Sequence, residues 1–584
     1  MSSDDGVKMH KAAASAAPSR NGLWLAVIGL LLILSGAWGA MTVRTLGGVS
    51  VRDIHFTGTN GTRMSALLYV PKTATIATPA PGILAVHGYI NSRETQDGFA
   101  IEFARRGYVV LAMDQTGHGY SKGAAFSNGF GGPDSLRYLR SLAVVDNAQI
   151  GLEGHSMGGW TVLAAAAALP DGYKSVVLEG SSTGAPFAAD GTPTWPRNLA
   201  LVFSKYDEFS AIMWGTPRAI DVGDSEKLKT VFGTKKPVVA GQQYGAIDNG
   251  TARILYQPAT THPGDHFSPA AIGHATDWLA KTLNGGAPLP ASDQIWIWKE
   301  IGTGIGLIGF IMLLLGSFDV LIRLPVFAGL RGAASAATQR RDKAYWREFA
   351  WASLAPALLF FPIFSGLYLL SQFAPIFPQV VTTQVMLWAL VGAAIAGLRM
   401  RKRPLQVAAA PRWPVELALA AFTLAICYAA LVLIDAVFST DLRFWIVAIK
   451  VPAQHHWGII ALYIVPITAA FLVNMKAITG VLTVHGDRAG TRYGYAILAM
   501  TGGFLALLIP VYAFFFASGV LVTAFDPLST VIALQFVPVL AALAIIAIYT
   551  WHRTGNHRVG ALICGIFVTL YVVAGTATQL PIWG

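Results

Sequence analysis

The stretch "IGLEGHSMGGWTVLAAAAALP" (residues 150–170) decides the fold. A short apolar run leads into Gly-His-Ser-Met-Gly, and an alanine-rich run of high helix propensity leads out of it. Gly154 and Gly158 flank Ser156 two residues away on either side, where a tight strand-to-helix turn tolerates only the smallest side chains. Such a turn lifts the serine hydroxyl above a sheet. A hydroxyl is a weak nucleophile until a base takes its proton, so the stretch asks for a histidine and a carboxylate elsewhere in the chain.

Working outward, short β-type runs alternate with helical stretches on both sides, which predicts an α/β sheet with helices on both faces. "VSVRDIHFTG" and "RMSALLYVP" read as an opening hairpin, followed by strands in "GILAVHGY", "VVLAMDQTGHGYS", "AQIGLEGHS", "SVVLEGSS", "KPVVAGQQ" and "ARILYQPA". Helices are predicted at 97–106, 133–144, 157–169 and 269–283. The segment 181–232, rich in aromatic residues such as Trp195, Phe203, Tyr206, Phe209 and Trp214, is expected as a cap inserted between two late strands.

Three motifs in order, His87-Gly88-Tyr89, "DQTGHGYS" (residues 114–121) and Gly154-His155-Ser156-Met157-Gly158, resemble the α/β-hydrolase superfamily. Within it, the region resembles dienelactone-hydrolase-like and monoacylglycerol-lipase-like serine hydrolases. The resemblance covers about residues 50–284. It implies Ser156 as nucleophile of a nucleophile elbow, with the backbone N–H groups of Met157 and Tyr89 forming the oxyanion hole. It also implies a histidine after the last strand, where "THPGDHF" offers His262, with His266 as the rival. The acid partner is expected in the loop after "KPVVAGQQ", where Asp248 is the first carboxylate; Glu179, at the end of the preceding strand, is the alternative.

The rest of the 584 residues is of another kind. The chain is 54% hydrophobic and only 12% charged, against roughly 25% charged in an average soluble domain. An apolar run at 23–40 reads as an uncleaved signal anchor behind a cytoplasmic tail at 1–22, and eight more spans are predicted between 301 and 580, near 301–322, 349–371, 381–398, 415–438, 457–475, 494–517, 528–550 and 559–580. The net charge of +11 points to loops beside these spans rather than to nucleic acid. Basic residues cluster in alternate loops: Arg323 to Arg347, Arg399 to Arg412 (with Lys402 and Arg403), Lys476 to Arg492, and Arg553 with Arg558. The loops between them hold only Arg443 and Lys450. This alternation sets the N-terminus in the cytoplasm, and the hydrolase-like region 45–290 and the C-terminus outside a cell membrane crossed about nine times. The span centres carry almost no ionisable groups, which argues against ion-coupled transport. The two cysteines, Cys427 and Cys564, fall within spans and read as neither disulfide nor catalytic.

These readings combine into an expected membrane-integral serine hydrolase that cleaves carboxylic esters, lipid or acyl esters among them, through a Ser-His-acid acyl-enzyme. No metal or organic cofactor is expected. The expected partners are a small-molecule or lipid ester and membrane lipids, with a protein partner of the membrane half left open. A serine peptidase of the same fold, and a transport or sensor protein using the hydrolase-like region as a binding module, are the alternatives.

Overall fold

A computed structural model describes residues 21–334, 336, 338, 340–371, 377–401 and 410–580. The expected N-terminal tail lies outside these residues as far as position 20, as do Lys402 and Arg403 of one basic loop. The chain begins with helix α1 (Asn21–Arg44) and then builds a nine-stranded sheet: β1 (Val49–Thr57), β2 (Arg63–Pro71), β3 (Ala80–Val86), α2 (Asp97–Arg105), β4 (Val109–Met113), α3 (Gly132–Ser141), β5 (Val145–His155), α4 (Met157–Ala168), β6 (Ser175–Glu179), β7 (Leu199–Val202), α5 (Ser210–Trp214), α6 (Glu226–Phe232), β8 (Gln243–Tyr244), β9 (Arg253–Tyr256) and α7 (Pro269–Thr282). The strands lie in the order β1-β2-β4-β3-β5-β6-β7-β9-β8.

β1 and β2 form an antiparallel hairpin in register from Val49 opposite Pro71 to Thr57 opposite Arg63, and β2 pairs antiparallel with β4. From β4 through β3, β5, β6, β7 and β9 every pairing is parallel. Parallel strands covered on both faces read as continuous apolar runs, and β3, β4, β6, β7 and β9 are buried at every position. One face packs on α3 and α4 through Leu136, Leu139, Val162 and Leu163; the other packs on α2 and α7 through Phe99, Phe103, Ile272 and Trp278. The right-handed crossovers that parallel pairing requires bring the ends of β3, β5, β6, β7 and β9 to one edge. This is an α/β-hydrolase fold.

One strand differs from the sequence expectation. "KPVVAGQQ" forms no strand before its last residue, Gln243, which enters the two-residue edge strand β8; the position beside β6 is taken by Leu199–Val202, from within the segment expected as a continuous cap at 181–232. The reason is burial. Leu199-Ala-Leu-Val202 is wholly enclosed, whereas Lys236, Pro237 and Val239 are exposed and Pro237 has no N–H for a ladder. The cap is therefore split into 181–198 before β7 and a longer excursion after it.

The chain then continues in α8 (Trp296–Leu321), α9 (Lys343–Ser371), α10 (Val380–Met400) and α11 (Trp413–Phe438). A hairpin of β10 (Leu442–Phe444) and β11 (Val447–Ile449) precedes α12 (His456–Val481), α13 (Ala489–Ser518), α14 (Pro527–Thr554) and α15 (Arg558–Gly575). Among the described residues nine helices, α1 and α8 to α15, are long and apolar enough to cross a membrane.

α1 and α8 touch backbone to backbone. Gly22, Gly29 and Gly36 on α1, and Gly302, Gly309 and Gly316 on α8, recur every seven residues. A β-carbon placed on Gly36 would stand 2.3 Å from the Gly302 carbonyl oxygen, and one on Gly309 would stand 2.7 Å from that of Gly29. A seven-residue repeat keeps one stripe facing the partner along the whole contact. The sheet region is thus suspended between the ends of a closely paired couple of helices.

Buried charges fasten it there. Asp97 of α2 lies 3.0 Å from Lys299 Nζ of α8 and 3.7 Å from Arg44 Nη2 of α1, and Arg44 also donates to the carbonyls of Phe438 and Ser439. The segment after α15 joins in: Thr578 N–H donates to Gly117 O at 2.8 Å, and Ala125 N–H to Thr578 O at 2.7 Å.

Candidate active site

Ser156 stands between β5 and α4 with φ 54° and ψ −121°, a left-handed conformation that a serine adopts only under constraint. The surroundings supply it. A β-carbon on Gly154 would meet Gly158 O at 2.3 Å, and one on Gly158 would meet Val86 O at 2.1 Å, so both positions admit only hydrogen. Ser156 N–H donates to Glu179 O at 2.8 Å, which ties the turn to the end of β6. The Ser156 side chain is half-buried, and Met157 N–H is the first amide of α4, one of the donors a helix start leaves without an internal partner.

His262 follows β9. Its Nδ1–H donates to Asp207 Oδ2 at 2.9 Å, and both residues are buried. Asp207 sits in the loop just after β7, and its other oxygen accepts from Phe209 N–H at 2.8 Å. Burial drives the imidazole down to about 4. Burial, and then the nearby Asp265, push the Asp207 carboxyl well above the usual range. Near neutral pH the imidazole is thus uncharged and its Nε2 can accept a proton. Gly180, at φ 52°, leaves room for the pair: a β-carbon there would lie 2.9 Å from His262 Nδ1 and 3.1 Å from Asp207 Oδ2.

His155 braces the histidine loop from beneath, its Nε2–H donating to His262 O at 3.0 Å. The phenyl ring of Phe209 lies on the imidazole of His262, with centroids 4.3 Å apart.

On the opposite side of Ser156, the turn after β3 is held rigid. His87 Nδ1–H donates to Gly88 O at 2.7 Å and its Nε2 accepts from Gln115 N–H at 3.2 Å, a neutral tautomer consistent with burial lowering it to about 3. Gly88 lies so close that a β-carbon on it would be 3.1 Å from Ser156 Cβ. The next residue, Tyr89, accepts at its hydroxyl from Gln579 Nε2 at 2.6 Å. Its ring opens an aromatic series: Phe126 at 5.9 Å, Phe187 stacked on Phe126 at 5.4 Å, and Trp160 of α4 at 5.0 Å from Phe187. Phe126 and Phe187 keep about two fifths of their surface open. Among the described residues no group of three or more His, Cys, Asp or Glu is arranged to hold a metal ion.

The residues singled out from sequence divide clearly. Ser156, Met157 and Tyr89 come together at one edge of the sheet, and His262 reaches that edge with a carboxylate. His266 does not carry one: both ring nitrogens are buried without a hydrogen bond, and the ring packs between His155 and Phe99. Asp248 is exposed and does not contact His262, so the expected assignment is corrected: the carboxylate on His262 is Asp207. Glu179 is buried below the serine turn with both carboxyl oxygens unpartnered, its burial raising it well above the usual carboxylate range. The physical source of the error is the misplaced strand. The sequence expectation puts the acid after "KPVVAGQQ", but the strand in that place is Leu199–Val202, and Asp207 follows it. In sequence the apolar run "LALVF", which directly precedes "SKYD", does not stand apart from "VVA" after Pro237; its burial in the sheet is what separates them.

Residues 81–210 match a family model described as the alpha/beta hydrolase fold. A monoacylglycerol lipase of Mycolicibacterium smegmatis is 31% identical over 143 residues, which are 23% of this chain and 49% of that one. The mitochondrial palmitoyl-protein thioesterase ABHD10 of Homo sapiens is 34% identical over 142 residues, 24% of this chain and 43% of that one. The chain thus spans about half the length of the curated relatives it matches. Among solved structures, an esterase from the archaeon Pyrobaculum calidifontis is similar at 15% identity with a TM-score of 0.30, covering 46% of this chain and 93% of that one.

Proposed function

We propose that this protein is a membrane-integral serine hydrolase that cleaves carboxylic esters of apolar acyl groups, with its hydrolase region outside the cytoplasm. The observation that carries the reading is the 2.9 Å contact of His262 with Asp207 at the sheet edge that also holds Ser156 in its left-handed turn. These residues have the roles of a Ser-His-Asp triad on a nucleophile elbow. Ser156 Oγ attacks the ester carbonyl carbon while His262 Nε2 takes its proton. The N–H groups of Met157 and Tyr89 receive the oxyanion. As the tetrahedral species collapses, the C–O bond to the alcohol breaks and His262 returns the proton to that oxygen. Water, deprotonated by the same nitrogen, then releases the acid from the acyl-enzyme and restores Ser156. Asp207 keeps the proton of His262 on Nδ1, leaving Nε2 available.

The aromatic series of Tyr89, Phe126, Phe187 and Trp160 favours an apolar acyl chain, the same class that the relatives' names specify. The nine apolar helices and the alternation of basic loops support the membrane location and the outward placement.

The test is a fluorophosphonate probe that cannot cross membranes, applied to intact cells. Wild type takes the label and Ser156→Ala does not. Absence of label on folded wild type would sink the reading. The pH dependence adds a second check. The base must be neutral to act, and its protonation is displaced to about 4, so the labelling rate stays level from pH 8 down to about 5 and halves near 4. An imidazole at its ordinary value would lose half its rate near 6.5.

A further inference from the structure

The loop that carries His262 is held from outside the sheet region. The amide entering the dipeptide His262-Pro263 and the carbonyl leaving it both have partners that lead to the apolar half. His262 N–H donates to Glu208 Oε2 at 2.8 Å, and the other oxygen of that carboxyl receives the hydroxyl of Tyr512, near the end of α13, at 3.0 Å. Trp445 Nε1–H donates to Pro263 O at 2.8 Å. Trp445 occupies the two-residue turn of the β10–β11 hairpin with φ 52°, where such turns ordinarily use Gly or Asn. A bulky residue in that conformation is unfavourable, and its indole hydrogen bond gives a reason to keep it. Glu208 is buried beside Asp207, and Tyr206 packs on Phe515 and Phe516 of α13 with centroids 6.1 and 5.2 Å away. The acid loop and the base loop therefore rest on the same helix.

We propose that the membrane half positions the general base: Tyr512, acting through Glu208, and Trp445 clamp the two ends of the His262-Pro263 dipeptide and so hold the imidazole in register for proton transfer. The inference rests on the serine-hydrolase reading above. It assigns the apolar helices a part in catalysis beyond anchoring. Tyr512, Glu208 and Trp445 are positioning residues; none reaches the reacting atoms.

A clamp of this kind acts on the chemical step and not on substrate affinity. With the full-length protein in detergent and p-nitrophenyl butyrate as probe, Tyr512→Phe keeps the ring but removes the hydroxyl, and kcat falls about tenfold with KM within about twofold. Trp445→Phe keeps a ring in the turn, loses the N–H and lowers kcat in the same way. Glu208→Ala lowers it at least as far. Glu208→Gln recovers most of that loss, because a side-chain amide offers oxygen to His262 N–H and NH2 to the Tyr512 oxygen. Phe516→Leu, altered at the same contact but with no hydrogen bond to the loop, leaves kcat unchanged.

Unchanged kcat in both Tyr512→Phe and Trp445→Phe would overturn the clamp, and so would a Phe516→Leu loss equal to that of Tyr512→Phe. Glu208→Gln as slow as Glu208→Ala would do the same. If Tyr512→Phe fails to fold, Trp445→Phe reads the clamp through a separate element. A folded wild type that neither hydrolyses the ester nor takes the fluorophosphonate removes the hydrolase reading and the clamp with it. A wild type that does both, with the variants unaffected, removes the clamp alone.

Discussion

Asparagine at Asp207 is expected to lower ester turnover roughly 1,000- to 10,000-fold, while asparagine at Asp248 is expected to leave it within about twofold. The first effect follows from how Asp207 divides its two oxygens. Oδ1 accepts from Phe209 N–H at 2.8 Å, and Oδ2 accepts from His262 Nδ1 at 2.9 Å. An asparagine must give its one oxygen to the Phe209 amide, so its NH2 faces the imidazole. Nδ1 is then forced to accept, the ring proton moves to Nε2, and Nε2 cannot take the proton of Ser156. The size and shape of the side chain are unchanged, so fold and KM persist while turnover collapses. Asp248 is exposed, away from His262, and its substitution alters only a surface loop. Steady-state kinetics of the two variants on one ester, with the thermal midpoint of each as the folding check, separate the two positions. Equal losses, or a loss confined to Asp248→Asn, would reverse the assignment.

The paired helices α1 and α8 give the second large effect, and two glycine-to-alanine substitutions on α1 test it with opposite signs. Gly36→Ala places a methyl 2.3 Å from the Gly302 carbonyl oxygen, where only movement of one helix away from the other makes room. The expected cost is about 2–3 kcal/mol. Gly39→Ala, three residues along the same helix, meets nothing within 4 Å and gains helix propensity, so it stabilises by about 0.5–1 kcal/mol. Thermal unfolding of the full-length protein in detergent should move the two midpoints in opposite directions. Two shifts of the same sign would mean that the backbone contact does not carry the pairing.

Much of the sheet was legible because its signals are local. The turn around Ser156 announces itself through Gly154 and Gly158, whose hydrogens face carbonyl oxygens, and the opening hairpin through its alternating and apolar runs. The long apolar helices are equally plain, since a bilayer-length run has few other uses. The acid was not legible, because "VVA" after Pro237 and "LALV" after Asn198 look alike as short apolar runs. Only burial on both faces distinguishes the second, and burial is a property of the assembled sheet. One misplaced strand moved the acid from Asp207 to Asp248. The bonds from Tyr512 to Glu208 and from Trp445 to Pro263 left no trace in pattern at all. They join residues 304 and 182 positions apart, and no periodicity or propensity records a contact at that separation.

The close pairing of α1 with α8 also orders events in time. Residues 45–295 are synthesised between the two helices, so α1 must wait while every strand of the large sheet, the last ending at Tyr256, leaves the ribosome. By the time α8 is made, Ser156, Asp207 and His262 have all been synthesised. The hairpin bearing Trp445 and the helix bearing Tyr512 are made later still. A nascent copy therefore carries the proposed nucleophile and base before it carries the residues of the proposed clamp on the His262 loop, and on that reading full hydrolytic competence arrives only with the completed apolar half. If the clamp acts as proposed, the order of the chain itself keeps an unfinished copy from cutting esters at speed.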